Sequence, residues 1–178
     1  MNSLPLHPAI VHFPMGVAML MLFIAAGFAW ALWTRRAGTL AWMAVVALQA
    51  VLLASSLIAI NTGGTEEERV ERVVPESAIA AHEEAAEQFA WATGGTLVLA
   101  AMVLLFKRRE VSGPLTAGVV VATLAVAGLG FRVGHAGGQL VYLHGAASAY
   151  ASPGTVAGSK APADARQDLA KTADDDDR

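Results

Sequence analysis

Apolar residues in this chain are gathered into four long runs, Ile10–Trp33, Leu40–Ile60, Phe89–Phe106 and Leu115–Val133. An α-helix needs about 20 such residues to cross the hydrocarbon of a bilayer, and each run comes close to or exceeds that length. Between them lie TRRAGT, the polar span Asn61–Gln88 and KRREVSG. The pattern predicts an all-α fold: an up-down-up-down bundle of four transmembrane helices over residues 1–150, with a disordered tail over 151–178. The first run lacks a basic leader, is too long for the apolar core of a secretory signal and is followed by Arg35-Arg36, so it is expected to stay as a helix.

Composition points to the same solvent. Hydrophobic residues make up 55% of the chain and charged ones 15%, with a mean hydropathy of +0.50. That is too apolar for an ordinary soluble domain. No cysteine is present, which excludes disulfides, thiolate metal sites, iron–sulfur clusters and covalent c-type haem. A net charge of −3, with the few basic residues in short clusters beside apolar runs, implies no nucleic-acid partner.

Charge also sets the expected orientation. Arg35 and Arg36 follow the first run and Lys107, Arg108 and Arg109 follow the third, so both clusters fall on one side, expected to be cytoplasmic. The opposite loop carries Glu66, Glu67, Glu68, Glu71, Glu76, Glu83, Glu84 and Glu87 against only Arg69 and Arg72. Both termini are therefore expected outside, which in a bacterium means the periplasmic face of the inner membrane.

All five histidines, His7, His12, His82, His135 and His144, fall at or near that outer face. Counting about 1.5 Å per helical residue puts His12, His82 and His135 in one layer, with His7 and His144 roughly 7 to 13 Å further out. Polar groups converging in a bundle usually mark a site, although single histidines are also at home near lipid headgroups. In LHPAIVHFP, Pro8 suits a first helical turn, while Pro14 removes a hydrogen bond to Ile10 and is expected to loosen the turn carrying His12. The polar span opens with NTGG, read as a glycine turn, and a helix restarts at Pro75 and Glu76 and carries His82 into the third run. Glu83 and Glu84 can orient that imidazole or serve as carboxylate ligands, or simply be solvated.

The fourth run is smooth along one flank, with Ala125, Gly128, Gly130, Gly134, Gly137 and Gly138. Small residues there allow close helix packing or admit a flat macrocycle. Arg132 can pair with an anionic group such as a haem propionate or snorkel to the interface. The Gly137-Gly138 pair makes a break plausible, after which QLVYLHG would fold back as an interfacial lid.

LHPAIVHFP, HEEAAE and GGQLVYLHG together resemble the signatures of small bacterial membrane proteins grouped as domain of unknown function 2231, over roughly residues 4–150. The resemblance implies a four-helix inner-membrane domain and brings no established activity; a haem or redox association is suspected of members by likeness to b-type cytochromes. His7, His12, His82 and His144 correspond to the motif histidines, whereas His135 departs from the family pattern.

Three functions remain open. The leading expectation is a haem b protein passing electrons between quinone and a periplasmic carrier, with His12 and His82, on diagonally opposed helices, as first ligand pair and His144 next. The absence of inner-side histidines speaks against two stacked haems. The second is a zinc, copper or iron site on His12, His82 and His144 for sensing or transport. The third is a cofactor-free structural membrane partner, with oligomerisation open to it. No serine or threonine stands in a recognisable nucleophile motif, so a non-catalytic redox or binding role is expected over an enzyme.

Overall fold

The computed structural model describes residues 6–34, 38–106 and 109–150. Arg35, Arg36, Lys107 and Arg108, which carry most of the orientation argument, and the tail 151–178 lie outside the described residues. Helix α1 spans Leu6–Ile10, α2 His12–Thr34, α3 Thr39–Val70, α4 Glu76–Leu105 and α5 Arg109–Tyr142; a 3₁₀ segment follows at Ala146–Tyr150. Among the described residues there is no strand. Four stretches are long and apolar enough to cross a membrane: Leu6–Phe28, Thr39–Val70, Glu76–Leu105 and Gly113–Tyr142.

The long helices close a ring. α2 packs on α3 and α5, α4 packs on α3 and α5, and the pairs α2/α4 and α3/α5 stand diagonally opposed. This is the arrangement expected when short connections join antiparallel neighbours. Large apolar side chains such as Leu40, Trp91 and Phe131 are 81%, 81% and 75% exposed, an outer surface suited to lipid rather than water.

Two apolar layers fill the ring. Met21, Leu52, Phe89 and Val126 meet in the middle, and Trp42, Ala100 and Val119 form the layer nearer the α2–α3 connection. The Trp42 indole N–H donates to the Ala100 carbonyl at 2.8 Å and its ring meets Phe28 edge-on at 4.9 Å. Polar side chains in this interior are held locally. Ser56, Thr93, Thr96 and Thr123 each donate to the carbonyl four residues back in their own helix. The Gln49 amide crosses to the Thr93 carbonyl at 3.2 Å. Where no water competes, such bonds satisfy the hydroxyls and the Gln49 amide nitrogen, while Gln49 Oε1 is left without a partner.

Three local expectations are corrected. NTGG is not a turn: α3 runs through Asn61–Gly64 to Val70, with the Thr62 and Thr65 hydroxyls donating to carbonyls three residues back. The turn falls instead at residues 71–75, and α4 then begins with Pro75 as its cap and Glu76 in its first turn. Gly137 and Gly138 do not break the fourth helix either; α5 continues to Tyr142, and the chain turns at Gly145, whose φ of 70° favours glycine. QLVY therefore belongs to the helix and is no lid. The glycines expected to bend the backbone instead let a neighbour approach it closely. Pro14 does act as expected: α1 and α2 separate at Val11, which leaves Pro14 in the first turn of α2, where the missing N–H costs little.

Candidate functional site

At the α1 end of the bundle the architecture depends on Glu66. A helix as short as α1 is not stable alone, because few of its bonds repay the ordering of its backbone. Its first amides are met from another helix: the Leu6 and His7 N–H groups donate to Glu66 Oε1 at 2.7 and 3.3 Å. The carboxylate acts as a remote cap, satisfying orphan donors and placing negative charge at a helix start. Glu66 Oε2 accepts from the Tyr150 hydroxyl at 2.7 Å, and the Arg69 guanidinium lies 5.4 Å above the Tyr150 ring. Burial, and then the carboxylate beside it, push the Tyr150 phenol up to about 12. One side chain thus ties α1, α3 and the 3₁₀ segment together.

That tie sets His7 against α3. His7 Nδ1 lies 2.9 Å from the Ala59 carbonyl, with the Thr62 hydroxyl at 3.4 Å. A carbonyl only accepts, so Nδ1 carries the proton and Nε2 of the neutral ring keeps its lone pair. A Cβ at Gly63 would stand 3.2 Å from His7 Cε1, so only glycine lets the ring settle there without displacement. Ala59, Thr62, Gly63 and Glu66 are spaced i, i+3, i+4 and i+7, one helical face built to receive α1.

From α4, His82 meets His7 with ring centroids 6.2 Å apart and planes 84° to one another. A second glycine receives it: a Cβ at Gly137 of α5 would lie 3.2 Å from His82 Cε1. His82 Nδ1 is buried without a hydrogen-bond partner. Gln49 Oε1, in the interior between α3 and α4, is likewise buried without a partner, so it is the neighbouring His7 that sets His82 apart.

The other candidates stand elsewhere. His12 is exposed, and its Nδ1 donates to the Pro8 carbonyl at 2.6 Å within its own chain segment. His135 is exposed, stacked on Phe131 at 6.3 Å and 3.2 Å from the Gln139 amide. His144 is half-buried just past α5, its backbone N–H on the Gln139 carbonyl. Arg132 donates to Gln88 at 2.7 Å, and Gln88 donates to Glu84 at 2.9 Å, so Glu84 is engaged along its own helix face. Glu83 is exposed.

Among the described residues no three His, Asp or Glu side chains gather in a way that could hold a metal ion, so His12, His82 and His144 do not form a cage. The imidazole that meets His82 is that of His7, in place of His12. His7 is drawn inward because α1 packs on α3 as well as on α2, where Glu66 and the Ala59 carbonyl receive it. Glu66 and Tyr150 escaped sequence reasoning. Glu66 looks like one acid in a solvated run, and only its position one turn beyond Gly63 on the Ala59 face sets it apart.

A family model described as "Predicted membrane protein (DUF2231)" matches residues 3–149. The chain belongs to that family, as its histidine motifs suggested. No curated protein and no solved structure gives a significant match.

Proposed function

We propose that His7 and His82 would hold a haem b in a bacterial inner-membrane protein with periplasmic termini, which would pass electrons between quinone and a periplasmic carrier. The observation that carries this reading is the paired imidazoles, 6.2 Å apart, drawn from different helices. The His7 Nδ1–H bond to the Ala59 carbonyl is the kind of outer contact that orients a ligating imidazole and leaves Nε2 for the metal. The buried Nδ1 of His82 makes no protein hydrogen bond and lies against α5 at Gly137.

The donor set also favours haem over a bare ion. Zinc and its neighbours want three or four protein ligands, whereas a porphyrin brings four nitrogens and asks the protein for two. Both Glu66 oxygens are already bonded, Oε1 to α1 and Oε2 to Tyr150, so no carboxylate stands ready as a third ligand. Bound there, haem b supplies a one-electron carrier. His7 and His82 hold it, Ala59 and Glu66 orient His7, and the apolar ring beneath limits the approach of water.

The test is the absorption spectrum of the full chain purified in mild detergent after expression with haem precursor, oxidised and then dithionite-reduced. A Soret band with sharp α and β bands on reduction is expected, collapsing in His7→Ala and His82→Ala and persisting in His12→Ala. A featureless visible spectrum from folded, haem-replete protein overturns the reading and leaves the cofactor-free role.

A further inference from the structure

We propose that a groove between α2 and α5 binds the ring of a lipid-soluble quinone. The inference rests on the electron-transfer reading for its choice among uncharged ring compounds. The groove is a shallow, open depression of about 510 Å³ lined by Met15, Phe131, His135, Gly138, Gln139 and Tyr142, among others. Small-molecule sites commonly fall between about 300 and 1,000 Å³. These residues belong to two membrane-crossing stretches, Leu6–Phe28 and Gly113–Tyr142, so an occupant would enter from the lipid.

The lining specifies the occupant. Polar side chains in membrane helices usually face the bundle interior, yet His135 and Gln139 are exposed on an outer stripe of α5 with Phe131 and Tyr142. No acidic or basic side chain lines the groove apart from the histidine, so a fatty-acid carboxylate or a phosphate finds no countercharge. The Phe131 and His135 rings stack with planes 13° apart, and their exposed faces and edges supply aromatic surface to the groove. With the Gln139 amide donating to His135 Nε2 at 3.2 Å, the imidazole N–H is Nδ1, which together with the Tyr142 hydroxyl can donate. A quinone has the matching features: a planar uncharged ring whose carbonyl oxygens only accept. The floor is open, since a Cβ at Gly138 would meet nothing within 4 Å. Gly137, its neighbour in sequence, receives His82 on another side of the same helix, so bare backbone separates the groove from the imidazole pair.

The experiment is calorimetric titration of the full chain in detergent with decylubiquinone, for wild type, Gly138→Leu and His135→Leu. Gly138→Leu fills the groove from a position with room for it; His135→Leu removes the donor if the first variant fails to fold. One-to-one saturable binding is expected, weakened about tenfold or more in each folded variant, the order of one lost hydrogen bond. Binding that is absent, that both variants leave unchanged, or that phosphatidylcholine displaces at equal concentration overturns the proposal. The absorption spectrum is read on the same samples. Groove-dependent quinone binding by protein without haem would uphold the groove and sink the haem reading. Haem-loaded protein without groove-dependent binding would do the reverse.

Discussion

At one end of the bundle, Trp42, Ala100 and Val119 meet in an apolar layer, with the Trp42 indole donating to the Ala100 carbonyl. At the α1 end, His7, Glu66, His82 and Tyr150 come from four different elements and are held by directional bonds and two bare glycine backbones. The first region tolerates small errors in position, because dispersion and burial are not directional and many atoms share the work. The second does not. A shift of a few tenths of an ångström at Gly63 or Gly137 reaches an imidazole directly. The α1 end has a small apolar cluster of its own in Val74, Ile79 and Ala146, but its histidines are placed by directional bonds, so the two regions should respond to different substitutions.

The largest effect on stability is expected from Trp42→Ala. Removing a buried aromatic side chain costs about 3–5 kcal/mol, read as a lower midpoint in denaturant titration of the detergent-solubilised protein. The α1 end should keep its protection from hydrogen exchange as long as the protein remains folded. Loss of that protection in step with the midpoint would show that the two regions are not separable.

Gly137→Val tests the other half. Its added carbons meet a ring 3.2 Å from the first of them, and overpacking of this kind costs about 1–3 kcal/mol. The expected signature is a displaced His82, seen as a changed imidazole resonance, with little change around Trp42. Glu66→Ala comes next, at about 1–3 kcal/mol for stranded donors. The expected readout is fast amide exchange and early proteolysis at residues 6–10, while Glu66→Gln, which still accepts through one oxygen, recovers most of the protection.

The smallest effect belongs to Tyr150. Its phenol is raised from 10.0 to about 12, so the Tyr150–Glu66 link contributes in full below pH 10 and is lost as pH rises through about 12. Tyrosinate absorbance should show one late ionisation between those values, absent in Tyr150→Phe. That variant should lose about 1 kcal/mol at neutral pH. Absence of that late ionisation would remove Tyr150 from the comparison.

The bundle was legible because lipid imposes a coarse rule. Long apolar runs become helices, and short connections make them antiparallel neighbours. The end of α3 was not legible, because Gly63 and Gly64 look the same whether they bend a chain or let a ring rest on it. Deciding between these uses requires the position of His7, which lies far away in sequence. The His7–His82 pair was missed for a related reason: Pro14 predicted a loosened turn, but the direction in which α1 would lean depended on Glu66. Residues such as Phe89 and Leu52 needed no such knowledge, since any inward apolar side chain serves their purpose.

The bonds to Glu66 have a consequence for the order in which the chain becomes complete. His7 belongs to the earliest segment, Glu66 to the middle and Tyr150 to the segment after the last crossing. A chain halted after three crossings would have α1 and its carboxylate but lack both Gly137 behind His82 and the hydroxyl that closes the far side of Glu66. The α1 end therefore acquires its final form only when the last helix has been threaded, which makes a settled His82, resting on Gly137, a marker of finished insertion.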